Sequence, residues 1–265
     1  MKTGFVVERM RAFSQGGKPL SVMARERLEK LNEEIKSASL IVLNDQPKGP
    51  RDQEAFLQKI WELDDTLKAK GFNSMSPKWR EDVADFYKSG RRQGVFRKGR
   101  QVGASKIVAP RIAVCEALYG GHRVPPGERA SIVFISVKRG EAQKRAGNIT
   151  AILDALGVKY DQAGDTISLR DRAIDFIVLT ASLRTSVGDT AIMIWCDEVS
   201  RWRDADTGAN PAKQILSTVR PMIVTMPDAR MWLVSSPLGK TDAHFEAYEA
   251  GDSDFQRCYF GETWT

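Results

Sequence analysis

From about residue 74 onward the chain alternates between two hydrophobic periods. Short apolar runs rich in Val, Ile, Phe or Trp cover 94–97, 131–137, 173–180, 190–196 and 230–235, and each predicts a strand. Segments with apolar residues three and four apart separate several of these runs, notably 105–118, 141–156 and 211–224, and predict helices. Such alternation builds an α/β domain with a mainly parallel sheet covered by helices on both faces, whose ligands bind at the carboxyl ends of the strands. The earlier part of the chain reads as helix only. Leu28, Leu31 and Ile35 lie at helical spacing in one charged segment, and Phe56, Ile60, Leu63 and Leu67 do so in the next, with the Pro/Gly-rich linker Asn44-Asp45-Gln46-Pro47-Lys48-Gly49-Pro50 between them. Residues 1–70 are therefore expected to form a helical appendage and 71–265 the α/β domain.

Composition narrows the picture modestly. A chain of 265 residues can bury a sizeable core. Its 40 Lys+Arg against 34 Asp+Glu leave a net charge of +6, which suits an anionic partner. The bases cluster: Lys88, Arg91, Arg92, Arg97, Lys98, Arg100 and Lys106 follow one another with no acid between them, which predicts a focused positive field there. Cys115, Cys196 and Cys258 are widely separated and two lie in apolar runs, which speaks for reduced thiols and against a disulfide framework or zinc site. No apolar run approaches the ~18 residues of a membrane span, and the N-terminus lacks a signal-peptide core. A reducing cytoplasm and no membrane partner are expected.

The clustered bases surround a loop with recognisable chemistry. Phosphate-binding loops of the form G-x-x-x-x-G-K-[ST] wrap backbone N–H groups around phosphates, with Lys on the phosphate oxygens and Ser/Thr on Mg²⁺. Here the octet runs Lys98-Gly99-Arg100-Gln101-Val102-Gly103-Ala104-Ser105. Gly103 and Ser105 are in register, but Ala104 stands where lysine belongs and Lys98 replaces the first glycine. The loop follows a predicted strand and opens a predicted helix, whose N-terminus adds donors and a favourable dipole. Downstream, the apolar strand Ile192-Met193-Ile194-Trp195-Cys196 ends in Asp197-Glu198, a place for a metal-holding acid followed by an acid that orients the attacking water. A third apolar strand, Met231-Trp232-Leu233-Val234, ends in Ser235-Ser236-Pro237, where a strand tip could sense the γ-phosphate.

These three elements, in this order over about residues 75–239, resemble the ATPase domain of the large terminase subunits that package DNA into tailed-bacteriophage and herpesvirus capsids. Arg100-Gln101 before Gly103 is similar to the Arg-Gln pair of terminase loops. The bacteriophage lambda branch of that family has a deviant loop with Lys opening the octet and a non-lysine before Ser, which Lys98, Ala104 and Ser105 match. Geometry favours Lys98 over Lys106, because a loop closed around phosphates brings its two ends together. Lys106 lies one residue further along the helix and turns roughly 100° away.

The resemblance implies a P-loop NTPase fold of the RecA/ASCE kind, with ATP and Mg²⁺ as cofactors. It places Lys98 to Lys106 on the nucleotide, Ser105 and Asp197 on the metal, Glu198 at the attacking water, and Ser235, Ser236 and Pro237 in coupling. Trp79 or Arg80, in Ser76-Pro77-Lys78-Trp79-Arg80, takes the place of an adenine-contacting motif. Arg100, Arg139 and Arg145 are candidate arginine fingers, Arg100 first because it lies in the loop; Arg184 is the nearest counterpart of the family's Arg-Gly pair. Implied partners are double-stranded DNA, a capsid portal, a small terminase subunit and other copies in a ring, with a monomer expected in isolation. The implied place is the host cytoplasm, transiently docked on a procapsid. The family's C-terminal nuclease has no counterpart here, since Asp242, Glu246, Glu249, Asp252 and Asp254 read as a helix face and loop, so no nuclease activity is expected. Two other jobs fit the same residues: a helicase-like ATPase, or a non-hydrolysing DNA-binding or assembly module in which Ala104 marks a dead loop.

Overall fold

The computed structural model describes residues 51–181, 190–203 and 210–261, without the side chains of Arg139 and Ala142. The predicted helix around Leu28 to Ile35 lies outside the described residues. Two helices come first, α1 (Gln53–Ala69) and α2 (Pro77–Lys88). Asp52 caps α1 through its side chain, and Ser76 caps α2 with Pro77 in the first turn, where a missing N–H costs nothing. The chain then alternates through β1 (Gln93–Arg97), α3 (Ala109–Tyr119), β2 (Ala130–Ser136), α4 (Arg139–Leu156), β3 (Tyr160–Ala163), β4 (Thr166–Leu169), β5 (Ile174–Thr180), β6 (Ala191–Asp197), α5 (Ala212–Val219), β7 (Arg230–Ser235), α6 (Ala243–Glu249) and β8 (Gln256–Phe260).

The strands form one eight-stranded sheet in the order β3-β4-β5-β2-β6-β7-β1-β8. It is parallel from β5 to β8, and β4 alone is reversed, pairing antiparallel with both its neighbours, β3 and β5. Every residue of β2, β6 and β7 is buried, as a sheet covered on both faces requires. Trp195, Trp232, Phe96 and Tyr259 stack across β6, β7, β1 and β8, with successive ring centroids 5.4, 5.0 and 4.6 Å apart. This layer ties together the strands that carry the loop, the acid pair and the Ser-Ser-Pro tip.

Three expectations change. Phe56, Leu57, Ile60, Leu63 and Leu67 of α1 are buried in the same core as the sheet, so among the described residues no domain boundary falls at residue 70. The apolar stripe of α1 is the α/β domain's own cover. The helix expected over 211–224 stops at Val219 and continues as a 3₁₀ turn, Arg220–Ile223, because Pro221 has no N–H to extend the α ladder. The β3–β4 hairpin and β8 carried no apolar run to announce them; both lie toward the sheet's edges and bury only part of their length.

Candidate active site

At the carboxyl end of β1 the chain turns through Lys98 to Gly103 and enters α3 by a single π-helical turn, Ala104–Val108. Gly103 has φ 82°, a left-handed backbone that favours glycine, and a Cβ there would also press on the end of the Ile107 side chain at 3.0 Å. The Gly103 carbonyl accepts from the N–H groups of Ile107 (2.7 Å) and Val108 (3.2 Å), and Ala109 N–H reaches back five residues to Ala104. Pro110 explains the widening: it has no N–H, and its ring would collide with the carbonyl four residues back in a regular helix. The N–H groups of Ala104, Ser105 and Lys106 open the helix with no partner inside it, the arrangement that receives an anion.

Trp79 supports this loop from behind. Its indole N–H donates to the Val102 carbonyl (2.9 Å) and its ring is 1% exposed against Phe96, so it faces the core and not the surface where adenine contact was expected. Arg80 is likewise engaged, with Asp64 and Asp65 at 2.6 Å each.

The loop's two lysines part company. Lys106 is exposed beside a cleft lined by Phe72, Ile107, Arg111 and Ile152. Lys98 is buried and crosses the strand tips to place its Nζ 2.7 Å from Glu198 Oε1.

Asp197 and Glu198 hold different partners. The Asp197 carboxylate accepts from the Ser105 hydroxyl on Oδ1 (2.6 Å) and from Arg145 Nε (3.2 Å) and Nη2 (2.9 Å) on Oδ2. Its carbonyl accepts from the buried Trp202 indole (2.9 Å), which pins the end of β6. Glu198 has φ 52°, and with Gln101 (φ 60°) it makes up the non-glycine residues of positive φ among those described; both are in this site. Left-handed backbone at such residues costs of order 1–3 kcal/mol and marks places where geometry is imposed. Burial pushes the Glu198 carboxyl up, but the Lys98 ammonium and the Ser236 N–H and hydroxyl outweigh it and hold the group below the usual carboxylate range.

The tip of β7 closes the circuit. Ser236 donates to Glu198 Oε2 through its N–H (3.3 Å) and hydroxyl (3.0 Å), and the Ser235 carbonyl accepts from Lys98 N–H (3.1 Å). Ser235 Oγ accepts from Ser200 N–H (3.1 Å), whereas Pro237 is exposed. Arg201, unmarked by any motif, reaches both Glu198 (3.4 Å) and Ser236 Oγ (3.3 Å). Its only sequence signal was its position three residues after Glu198.

The basic run does not form one field. Lys88 pairs with Glu54, Arg91 with Asp254 and Lys98 with Glu198. Arg92 donates to the carbonyls of Ile223, Met226 and Ala229, and Arg97 lies over the Tyr248 ring. Arg100 is exposed in the loop. The Arg139 side chain and Arg184 lie outside the described residues.

A hydroxyl and a carboxylate 2.6 Å apart, at a helix N-terminus, are hard oxygen donors of the kind magnesium takes together with water and phosphate. Among the described residues no group of three or more His, Cys, Asp and Glu gathers that could hold a metal ion by itself.

No family model and no curated protein matches the sequence. Solved structures do match. The HK97 bacteriophage large terminase is 14% identical, with a TM-score of 0.56 over 71% of this chain and 39% of that one. An ATPase-domain mutant of the Thermus phage P74-26 large terminase is 14% identical, with a TM-score of 0.52 over 70% of this chain and 85% of that domain. The fold is that of a phage large-terminase ATPase domain. A large terminase from a thermophilic bacteriophage, solved in complex with ADP, is 12% identical, with a TM-score of 0.53 over 71% of this chain and 45% of that one. This chain thus spans less than half of the HK97 large terminase and of the ADP-bound one. Within the terminase fold, β7 lies between the strand that feeds the phosphate loop and the strand that ends in the acid pair, so Ser236 comes to rest on Glu198.

Proposed function

We propose that this chain is the ATPase motor domain of a DNA-packaging large terminase, which hydrolyses MgATP to drive double-stranded DNA into a procapsid. The observation that carries the reading is the Lys98–Glu198 pair at 2.7 Å, with Ser105 on Asp197 at 2.6 Å beside it. A lysine displaced to the start of the loop still reaches the place where the phosphates and the water-orienting acid meet. Lys98 leaves Glu198 for the phosphate oxygens as nucleotide arrives, and the freed carboxylate accepts the proton of the water that attacks the γ-phosphorus as the bond to ADP breaks. Ser105 and Asp197 would hold magnesium, which when bound would neutralise phosphate charge. Ser236, bonded to Glu198, and Ser235, bonded to the backbone of Lys98, carry loss of the γ-phosphate into β7. The motor works as a ring on a capsid portal, supplied with DNA by a small terminase subunit, in the host cytoplasm.

ATPase assays on the full-length protein test the lysine assignment. Lys98→Ala is expected to lower kcat by about 10²-fold or more, the scale of removing one preorganised charge from a transition state. Lys106→Ala should stay near wild type. Wild-type turnover in Lys98→Ala would overturn the reading.

A further inference from the structure

We propose that Arg145 is the resident cation of the nucleotide-free site: its guanidinium neutralises Asp197 until a divalent ion takes that carboxylate, so that metal binds with nucleotide and not ahead of it. The inference rests on Asp197 being the metal-holding acid. Its side chain is 2% exposed, and a carboxylate so placed needs a charged partner. Ser105 satisfies Oδ1 but brings no charge, whereas Arg145 puts Nε and Nη2 on Oδ2. Two neighbouring cations, Lys98 and Arg201, are on Glu198. Arg145 projects from the second turn of α4 and keeps 15% of its side chain exposed, between the exposed Lys144 and the buried Ala146. A long side chain rooted at the rim can swing out without disturbing the core. A guanidinium and a divalent ion repel each other at one carboxylate oxygen, so the arrival of one releases the other. The released guanidinium stays tethered where nucleotide phosphate enters and pairs well with it. Metal and nucleotide therefore favour each other's binding, and linkage makes the effect reciprocal.

Mn²⁺ titration of the nucleotide-free protein, followed by electron paramagnetic resonance, tests this directly. Arg145→Gln is expected to bind Mn²⁺ at least about tenfold more tightly than wild type, because a charge-assisted bond no longer has to be broken. Lys144→Gln removes the same charge next door without touching Asp197 and should stay within about twofold, since salt screens exposed charges. Arg145→Lys, which keeps a cation but loses the fork, should fall between and serves if Arg145→Gln does not fold. Unchanged Mn²⁺ affinity in Arg145→Gln, or equal tightening in Lys144→Gln, overturns the proposal. A fluorescent ATP analogue added with Mg²⁺ to wild type separates the two levels. Failure to bind it removes the ATPase reading itself, whereas binding with unaltered Mn²⁺ affinity in Arg145→Gln removes only the role of Arg145.

Discussion

The helical segment that leaves the phosphate loop, running from Ala104 through α3, has a carboxylate cluster near each end, and the two are built on different terms. Near its C-terminus Glu116 is wholly buried, with Arg51 at 2.6 Å, His122 at 2.7 Å and the Tyr87 hydroxyl at 2.7 Å. Arg230 lies over the Tyr87 ring and donates to its carbonyl. Burial pushes Glu116 up, yet Arg51 and His122 together drive its carboxyl far below the ordinary range. Near the N-terminus, Glu198 and Asp197 also sit in charge pairs, but each pair has one member at the rim: the Glu198 side chain is 21% exposed and that of Arg145 15%, while Lys98 and Asp197 are buried. The Glu116 cluster, with its carboxylate and His122 buried, contributes to the fold. On the reading proposed above, the rim cluster exchanges Lys98 and Arg145 for a nucleotide and a metal. The difference lies in the exposure of one member of each pair.

Swapping the two glutamates for glutamine separates these roles. Glu198→Gln should lower ATP turnover by about 10²–10⁴-fold in the full-length protein while retaining nucleotide binding, the range for loss of a general base. It should cost less stability than the corresponding change at Glu116, since the Glu198 side chain is 21% exposed whereas that of Glu116 is wholly buried. Comparable turnover in Glu198→Gln and wild type would remove the distinction. Glu116→Gln should do the converse and cost about 3–5 kcal/mol in urea unfolding, because Arg51 is left buried against a neutral group.

Acid titration of stability sharpens the contrast. Both carboxyls titrate lower in the folded protein than in the unfolded chain, so both contributions are complete above the ordinary glutamate value of about 4.3 and are lost as pH falls through the folded value. Glu116, held much lower, protects the fold further into acid. Glu116→Gln should therefore flatten the acid limb of the pH–stability curve more than Glu198→Gln does; equal flattening would contradict the ordering.

Much of the rim cluster was legible in the chain because it depends on strand ends. Gly103, Ser105 and the Asp197-Glu198 pair announce themselves through backbone needs and abrupt polarity after apolar runs, and Lys98 is preferred over Lys106 by loop closure and helical period together with the family resemblance. The Glu116 cluster left no such trace. Arg51, Tyr87, Glu116, His122 and Arg230 come from separate elements, and nothing local says that they meet. The same holds for Trp202 on the Asp197 carbonyl and for Arg145 on its carboxylate, which depend on how α4 and the turn after β6 pack. Trp79 shows a subtler failure: the motif position was read as a ligand contact, and the aromatic ring turned inward to the core instead.

That inward turn yields the smallest of the expected effects. Trp79→Phe keeps an aromatic ring against Phe96 and removes the indole N–H that holds the Val102 carbonyl. If the indole serves the loop and not adenine, the loss is one hydrogen bond behind the phosphate cradle, worth about 1 kcal/mol. The affinities for ATP and for inorganic tripolyphosphate, which has no base, should then weaken together by about fivefold. An adenine contact would weaken ATP alone and leave tripolyphosphate binding as in wild type. Calorimetric titration with the two ligands decides between them, because a support under the loop acts on every phosphate the loop receives, whatever is attached to it.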